Sequence, residues 1–313
     1  MKEKELILSI IVPVYNAERF LEECLRSLYM QDMPMDEYEV IAVDNGSRDG
    51  SAALIKQLQN EYANLRLVTL IENQLPSGAR NAGMDAAKGK YMMFVDSDDY
   101  LYPNMLQSLV DAIEKDDLDF AHFDTDLLVE GKVVKGERMD ATAIITGVEL
   151  YHLNPKNREV SWSKIYNRDF IEKHHLRCTE GLLYEDDEFS YRLYSLAPCV
   201  KHIDIVPYMF RLHASSATKN RKTLSTVTSN LIEINTLYDD IYGDTCVVTD
   251  WKMKNEIIQI IKENIREIYA IYPVLFQEEQ KLAKSRMRQY ITWKILPYMS
   301  KKRFMLLKLG IVK

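Results

Sequence analysis

Three carboxylates within four residues, Asp96, Asp98 and Asp99 of the run DSDD, directly follow the apolar stretch YMMFV. Like charges this close repel one another, and a divalent cation with oxygen ligands relieves the repulsion well. Mg2+ or Mn2+ suits such a set and keeps coordination positions open for substrate phosphates. The competing explanation is a helix N-cap, with Asp98 or Asp99 capping a segment that begins near Pro103. One aspartate suffices for a cap, so the spacing favours the metal. A second acidic run, Glu185-Asp186-Asp187-Glu188, separates the apolar GLLY from a helical FSYRLYSLA. It reads equally as a charged first helical turn and as the source of a general base.

Other residues fit the same chemistry. Asp44, in AVDNGSRDGS, follows an apolar strand and can accept an N–H or O–H from a ligand, or simply form an Asx turn with Asn45. Arg80, in SGARNAG, opens a helix where a guanidinium can hydrogen-bond a base or phosphate, or make an ordinary helix salt bridge. His213, in FRLHASS, lies among small polar residues after a strand, whereas His174 and His175 fall in a charged stretch and read as surface.

The elements that must position these residues alternate between strand and helix. ILSIIVPV over 7–14 is an apolar, β-branched run of the kind that a strand buried on both faces requires. Asn16 can cap the next helix, whose Phe20, Leu21, Cys24, Leu25 and Leu28 recur at helical spacing. Strands are expected over 39–43, 65–71 and 91–95, and helices over 51–62 and 77–88, with Gly89 as a C-terminal cap. A βαβ series predicts a mainly parallel sheet, and ligands then bind off the carboxyl ends of its strands. Phe120 to Val129 reads as a further strand before a polar hairpin at Gly131. From Thr226 onward the pattern is helical.

Composition narrows the class. The chain has 313 residues, 47% hydrophobic and 28% charged, as in ordinary globular proteins. Its four cysteines, Cys24, Cys178, Cys199 and Cys246, are scattered without a CxxC pair, which argues against a thiolate metal site or a disulfide framework. No signal peptide or bilayer-spanning run is evident, so a cytoplasmic chain is expected. From Lys281 to Lys313 there are ten basic residues and no acidic one, which leaves 30 basic against 47 acidic residues, a net −17, in the rest. An acidic body disfavours nucleic acid as a partner. The tail, WKILPYMSKKRFMLLKLG, suits either an anionic membrane surface or packing on the acidic body.

Taken in order, SIIVPVYN, DNGSRDGS, ARNAGMDAAKGKYMMFVDSDD, LLYEDDEF and FRLHASS resemble the inverting glycosyltransferase family numbered 2, of bacterial polysaccharide type. The resemblance spans residues 7 to 215 and implies a GT-A fold, an α/β Rossmann-like, mainly parallel sheet flanked by helices. With the helical pattern from Thr226 onward, the chain is expected to divide into a nucleotide-sugar-binding catalytic domain over 1–220 and a helical C-terminal region over 221–313. It implies that Pro13, Val14 and Tyr15 line the nucleotide pocket, largely through backbone, with Asp44 at the base and Arg80 beside it. Asp96-Ser97-Asp98 matches the DXD motif, in which the first aspartate approaches the ribose and the last holds Mn2+ or Mg2+. Asp186 matches the catalytic base, with Asp187 as a rival, and His213 falls where some members place a metal or diphosphate contact. Trp162 and Lys164 match a segment near the acceptor side. The implied reaction moves a sugar from a nucleotide sugar, UDP being the commonest donor nucleotide, to a saccharide or lipid-linked saccharide, at the inner face of the membrane if the tail binds there. A nucleotidyltransferase lacks its Gly-rich basic loop here, a dehydrogenase its GxGxxG. A non-catalytic nucleotide-sugar-binding relative would be expected to lose the acidic motifs.

Overall fold

A computed structural model describes residues 6–153, 159–183, 185–213, 224–243, 246–271 and 277–290. Its first half is the expected alternation: β1 (Leu8–Val14), α1 (Glu18–Ser27), β2 (Tyr38–Asp44), α2 (Ser51–Leu58), β3 (Leu65–Thr69), α3 (Leu75–Ala86) and β4 (Tyr91–Phe94). The side chains of β2 are all buried, as are those of β1 except Pro13, because helices cover both sheet faces. β1 pairs in parallel with β2 and β4, and β2 with β3. Val14, Asp44 and Thr69 therefore end side by side on one carboxyl edge.

The second half brings β5 (Tyr100–Leu101), α4 (Leu106–Lys115), β6 (Phe120–Val129), β7 (Lys132–Val134), α5 (Gly147–Leu153), a 3-10 turn (Ser161–Ser163), β8 (Lys164–Asn167), α6 (Arg168–Lys173), α7 (Glu185–Leu196) and β9 (Val200–Leu212). The sheet order is β3-β2-β1-β4-β8-β6-β9-β5, with β7 on β6. β8 is antiparallel to both β4 and β6, whereas β6 and β9 are parallel. The sheet is thus mixed rather than mainly parallel, because β8 enters it reversed between two strands that run with β1. One consequence matters for the site. The start of β8 and the end of β9 both reach the carboxyl edge of β4.

Two local expectations are corrected, at Asn16 and Gly89, and the competing explanation of the DSDD run as a helix cap is not met. Ala17, not Asn16, stands at the N-cap of α1, and Asn16 sits at φ 51 with its Oδ1 accepting from Arg48 N at 2.9 Å. The side chain ties two loops together instead of capping a helix. Gly89 is no left-handed cap, since α3 ends at Ala87 in an extended conformation. A Cβ on Gly89 would stand 2.6 Å from the β1 backbone at Leu8 and Ser9, so its role is close approach. Neither Asp98 nor Asp99 caps α4, whose N-cap residue is Met105.

The helical end holds α8 (Leu224–Tyr242), α9 (Trp251–Ile271) and α10 (Gln277–Tyr290). These helices are tied to α5 and α7. Leu183 N donates to Ser229 Oγ at 2.9 Å, and Tyr151 OH to Glu256 Oε2 at 2.7 Å. Most of the basic tail lies outside the described residues. Among the described residues no helix is long and apolar enough to cross a membrane.

Candidate active site

The strand-end positions converge as the sheet topology requires. Val14 is buried and its carbonyl accepts from Asn45 N at 2.8 Å, while Tyr15 beyond it is 45% exposed and Pro13 half-buried. Asp44 is buried, and its Oδ1 accepts from Ser47 N at 3.1 Å. The Asx turn is therefore formed, and it uses one carboxylate oxygen of Asp44. Asn45 fixes the neighbouring loop, donating to Leu75 O at 2.9 Å and accepting from Gln74 N at 2.8 Å.

The DSDD run is held from below. Asp99 is buried; its Oδ2 accepts from Tyr208 OH at 2.7 Å and its Oδ1 from Arg211 N at 2.7 Å. Tyr208 OH in turn accepts from Asp96 N at 3.0 Å. Burial and the nearby charges of Asp96 and Asp98 push the Asp99 carboxyl well above its ordinary pKa. Asp99 is thus the anchor of the turn. Arg211 Nε donates to Asp98 O at 2.8 Å, and its guanidinium lies 4.8 Å from the centroid of the Phe20 ring.

Asp96, Ser97 and Asp98 stay half-buried at the surface of the crevice. Asp96 is raised to about 6, by burial first and by Asp98 and Asp186, against the lowering effect of Arg80. Asp98 Oδ2 and His213 Nε2 stand 2.8 Å apart. Adjacent ligands of an octahedral cation with bonds of roughly 2.1 Å are about 3 Å apart, so this pair fits two neighbouring positions around Mg2+ or Mn2+. Among the described residues no group of three His, Cys, Asp or Glu side chains could hold a metal ion. The remaining ligands of such a cation would come from water and substrate.

Arg80 is nine-tenths buried. Its Nη2 donates to Asp96 Oδ1 at 2.9 Å and its Nη1 to Glu185 Oε1, so it joins the DSDD run to the second acidic run. This guanidinium is engaged by two carboxylates, and its Nε has no hydrogen-bond partner.

The second acidic run is the first turn of α7. A helix turns about 100° per residue, so four successive carboxylates meet four environments. Glu185 faces Arg80, and Glu188 pairs with Arg192 at 2.5 Å. Asp186 acts electrostatically on Arg80, Asp96 and Lys164, whereas Asp187 acts on Tyr191 and Glu233 of the helical layer. The charge of Asp186 is thus felt at the DSDD run, and that of Asp187 at the helical layer. Asp186 Oδ1 is buried without a hydrogen-bond partner. An acceptor in that state is expected to have a use, since buried carboxylate oxygens are otherwise satisfied.

Sequence reasoning missed Tyr208 and Arg211 as supports of this site and the pairing of Glu185 with Arg80; Trp162 stacks on Tyr208 and Phe210 at 4.7 and 5.3 Å. Phe20 was expected in the core stripe of α1 but lies against Arg211 and, at 4.8 Å, the His213 ring. The RLH spacing after a β-strand was the one signal that could have exposed Arg211.

The sequence profile of glycosyl transferase family 2 matches residues 9–177, more than half of the chain and all of the parallel half of the sheet. The chain belongs to this family. Among relatives, the uncharacterized glycosyltransferase YibD of Escherichia coli is 30% identical over 220 residues, covering 68% of this chain and 63% of YibD. The chain thus spans a little under two thirds of the length of such relatives. TarS of Staphylococcus aureus, named a poly(ribitol-phosphate) beta-N-acetylglucosaminyltransferase, is 29% identical over 197 residues, 59% of this chain and 32% of TarS. The structure of TarS 1–349 in complex with UDP-GlcNAc superimposes with a TM-score of 0.69 at 22% identity, covering 98% of this chain and 88% of that one. The mannosyltransferase PcManGT of Pyrobaculum calidifontis, in complex with GDP-Man and Mn2+, gives 0.57 at 14% identity, covering 99% and 87%. These likenesses establish the GT-A architecture of this family 2 chain, C-terminal helices included.

Proposed function

We propose that the chain is an inverting glycosyltransferase, with Asp186 as general base, that moves a sugar from a UDP-sugar to a hydroxyl of a saccharide or lipid-linked saccharide in cell-surface polysaccharide or glycolipid synthesis. The observation that carries this reading is the buried, unpartnered Oδ1 of Asp186, whose charge raises the carboxyl of Asp96. Family membership supports it, and so does the likeness to TarS, which binds UDP-GlcNAc.

In this reading the base and ribose of the donor lie along the ends of β1, β2 and β4. Pro13, Val14 and Tyr15 form one wall, Asp44 accepts from the base, and Asp96 and Ser97 meet the ribose. Arg80 serves by holding Asp96 and Glu185 in place. Asp98 and His213 would hold a divalent cation, Mn2+ or Mg2+, which when bound neutralises charge on the departing diphosphate. Asp186 accepts the proton of the acceptor hydroxyl as its oxygen attacks the anomeric carbon from the face opposite the diphosphate. A base of this kind contributes about 10²–10⁴-fold in rate. The division at residue 220 assigns donor binding and chemistry to the sheet, and support of α7 to the helices.

The test is a panel of nucleotide sugars with Mn2+ or EDTA, read first as thermal shift and then as release of UDP. A UDP-sugar should stabilise the chain in Mn2+ only, since binding favours the folded state. Stabilisation by no nucleotide sugar would refute the donor assignment.

A further inference from the structure

Arg211 ties both members of the Asp98–His213 pair to α1. It lies on β9, two residues before His213, and its side chain is only 14% exposed. Its main-chain N donates to Asp99 Oδ1 at 2.7 Å, its Nε to Asp98 O at 2.8 Å and its Nη2 to Glu23 Oε2 of α1 at 2.6 Å. The guanidinium also lies 4.8 Å from the ring centroid of Phe20 and 5.4 Å from that of Tyr100, within the range of cation–π attraction. Phe20 carries the arrangement across to the histidine, since its ring centroid is 4.8 Å from that of His213. Asp98 is thus held through its own carbonyl, and His213 is backed by the ring on which the guanidinium rests.

The turn itself does not need this side chain. Tyr208 OH already accepts from Asp96 N and donates to Asp99 Oδ2, and the main-chain N of Arg211 holds Asp99 Oδ1 whatever the side chain. What the guanidinium adds is aimed at Asp98 and at Phe20. We propose, resting on the reading of Asp98 and His213 as cation ligands, that the Arg211 side chain is a positioning residue for that pair. It holds Asp98 Oδ2 and His213 Nε2 at the 2.8 Å spacing that suits two neighbouring ligands of one divalent cation. The planar guanidinium presents Nε and Nη2 as a rigid fork, so one group reaches the Asp98 carbonyl and Glu23 while it packs on Phe20. Partners that orient metal ligands in this way are worth about 10–100-fold in metal affinity.

The experiment reads Mn2+ binding rather than turnover. Mn2+ affinity at saturating UDP is measured from the EPR signal of the free ion, and UDP affinity in Mn2+ and in EDTA by calorimetry, for Arg211→Met, Glu23→Ala and Asp98→Ala. Arg211→Met should bind Mn2+ about tenfold or more weakly, with UDP affinity in EDTA unchanged. Glu23→Ala frees only the outer end of the guanidinium and should weaken Mn2+ about twofold to fivefold, as suits a pair with one exposed partner. Glu23→Ala decides the matter if Arg211→Met fails to fold. Unaltered Mn2+ affinity in the deciding variant, or an equal loss of UDP affinity in Mn2+ and in EDTA, overturns the positioning role. If instead Asp98→Ala binds Mn2+ as the unaltered chain does, the cation reading of Asp98 and His213 falls, and the positioning role with it.

Discussion

Buried Arg80 and half-buried Asp96 form an ion pair, Nη2 to Oδ1 at 2.9 Å, from the middle of α3 to the residues just after β4. The same guanidinium reaches Glu185, 105 residues further on. Two acidic runs that are distant in sequence are thereby fixed to one crevice. Arg80→Met would leave two carboxylates without their cation. Glu185 is the fully buried partner, and breaking a buried pair from one side costs about 3–5 kcal/mol. Urea unfolding should show a loss of that size, and a loss below about 1 kcal/mol would mean that the pair is solvated and weak.

The Asp98–His213 pair predicts the metal dependence of donor binding. Calorimetric titration with UDP in Mn2+ should give an affinity that falls on addition of EDTA. In Asp98→Ala the difference between Mn2+ and EDTA should vanish. In His213→Ala it should shrink by about tenfold or more. Equal affinities for all three chains in Mn2+ would remove both residues from the metal site.

Glu233 gives a pH dependence of stability. It is buried in α8, and burial, with Asp187 and Glu188 adding to it, raises its carboxyl to about 8 from an ordinary value near 4.5. Between these values the unfolded chain has lost a proton that the folded chain keeps, so stability falls as pH rises. The stabilising contribution is fully present below about 4.5 and is lost as pH passes through about 8. Glu233→Gln should therefore melt at a higher temperature than the unaltered chain at pH 8.5, the gap narrowing towards pH 5. A gap that is constant with pH would show that Glu233 ionises normally.

Gly89→Ala tests the close approach of the α3–β4 turn to β1. Its Cβ would meet main chain, which cannot swing aside. Overpacking of this kind costs about 1–3 kcal/mol, measurable as a lower melting temperature with UDP affinity preserved.

Much of this fold could be read from the sequence because period and burial agree along β1, β2 and β4. Apolar runs ending in Asp44 and DSDD read as buried parallel strands with their carboxylates at one edge. The reversed entry of β8 was hidden, since KIYN carries no mark of direction. The supports of the site were hidden for a different reason. Arg80 finds Glu185, and Arg211 finds Asp98 and Asp99, only through long-range topology, which neither composition nor local spacing encodes. The different surroundings of Asp186 and Asp187 follow from the rotation of α7 about its axis, which is set by packing against α8 and by the Arg80–Glu185 contact.

The proposed removal of the acceptor proton by Asp186, in transfer from a UDP-sugar, is decided by comparing Asp186→Asn with the unaltered chain for steady-state transfer in Mn2+, alongside UDP affinity. Asp186→Asn should lose at least about 10²-fold in kcat with UDP affinity unchanged. Transfer by Asp186→Asn at the unaltered rate would refute the role of Asp186 as base.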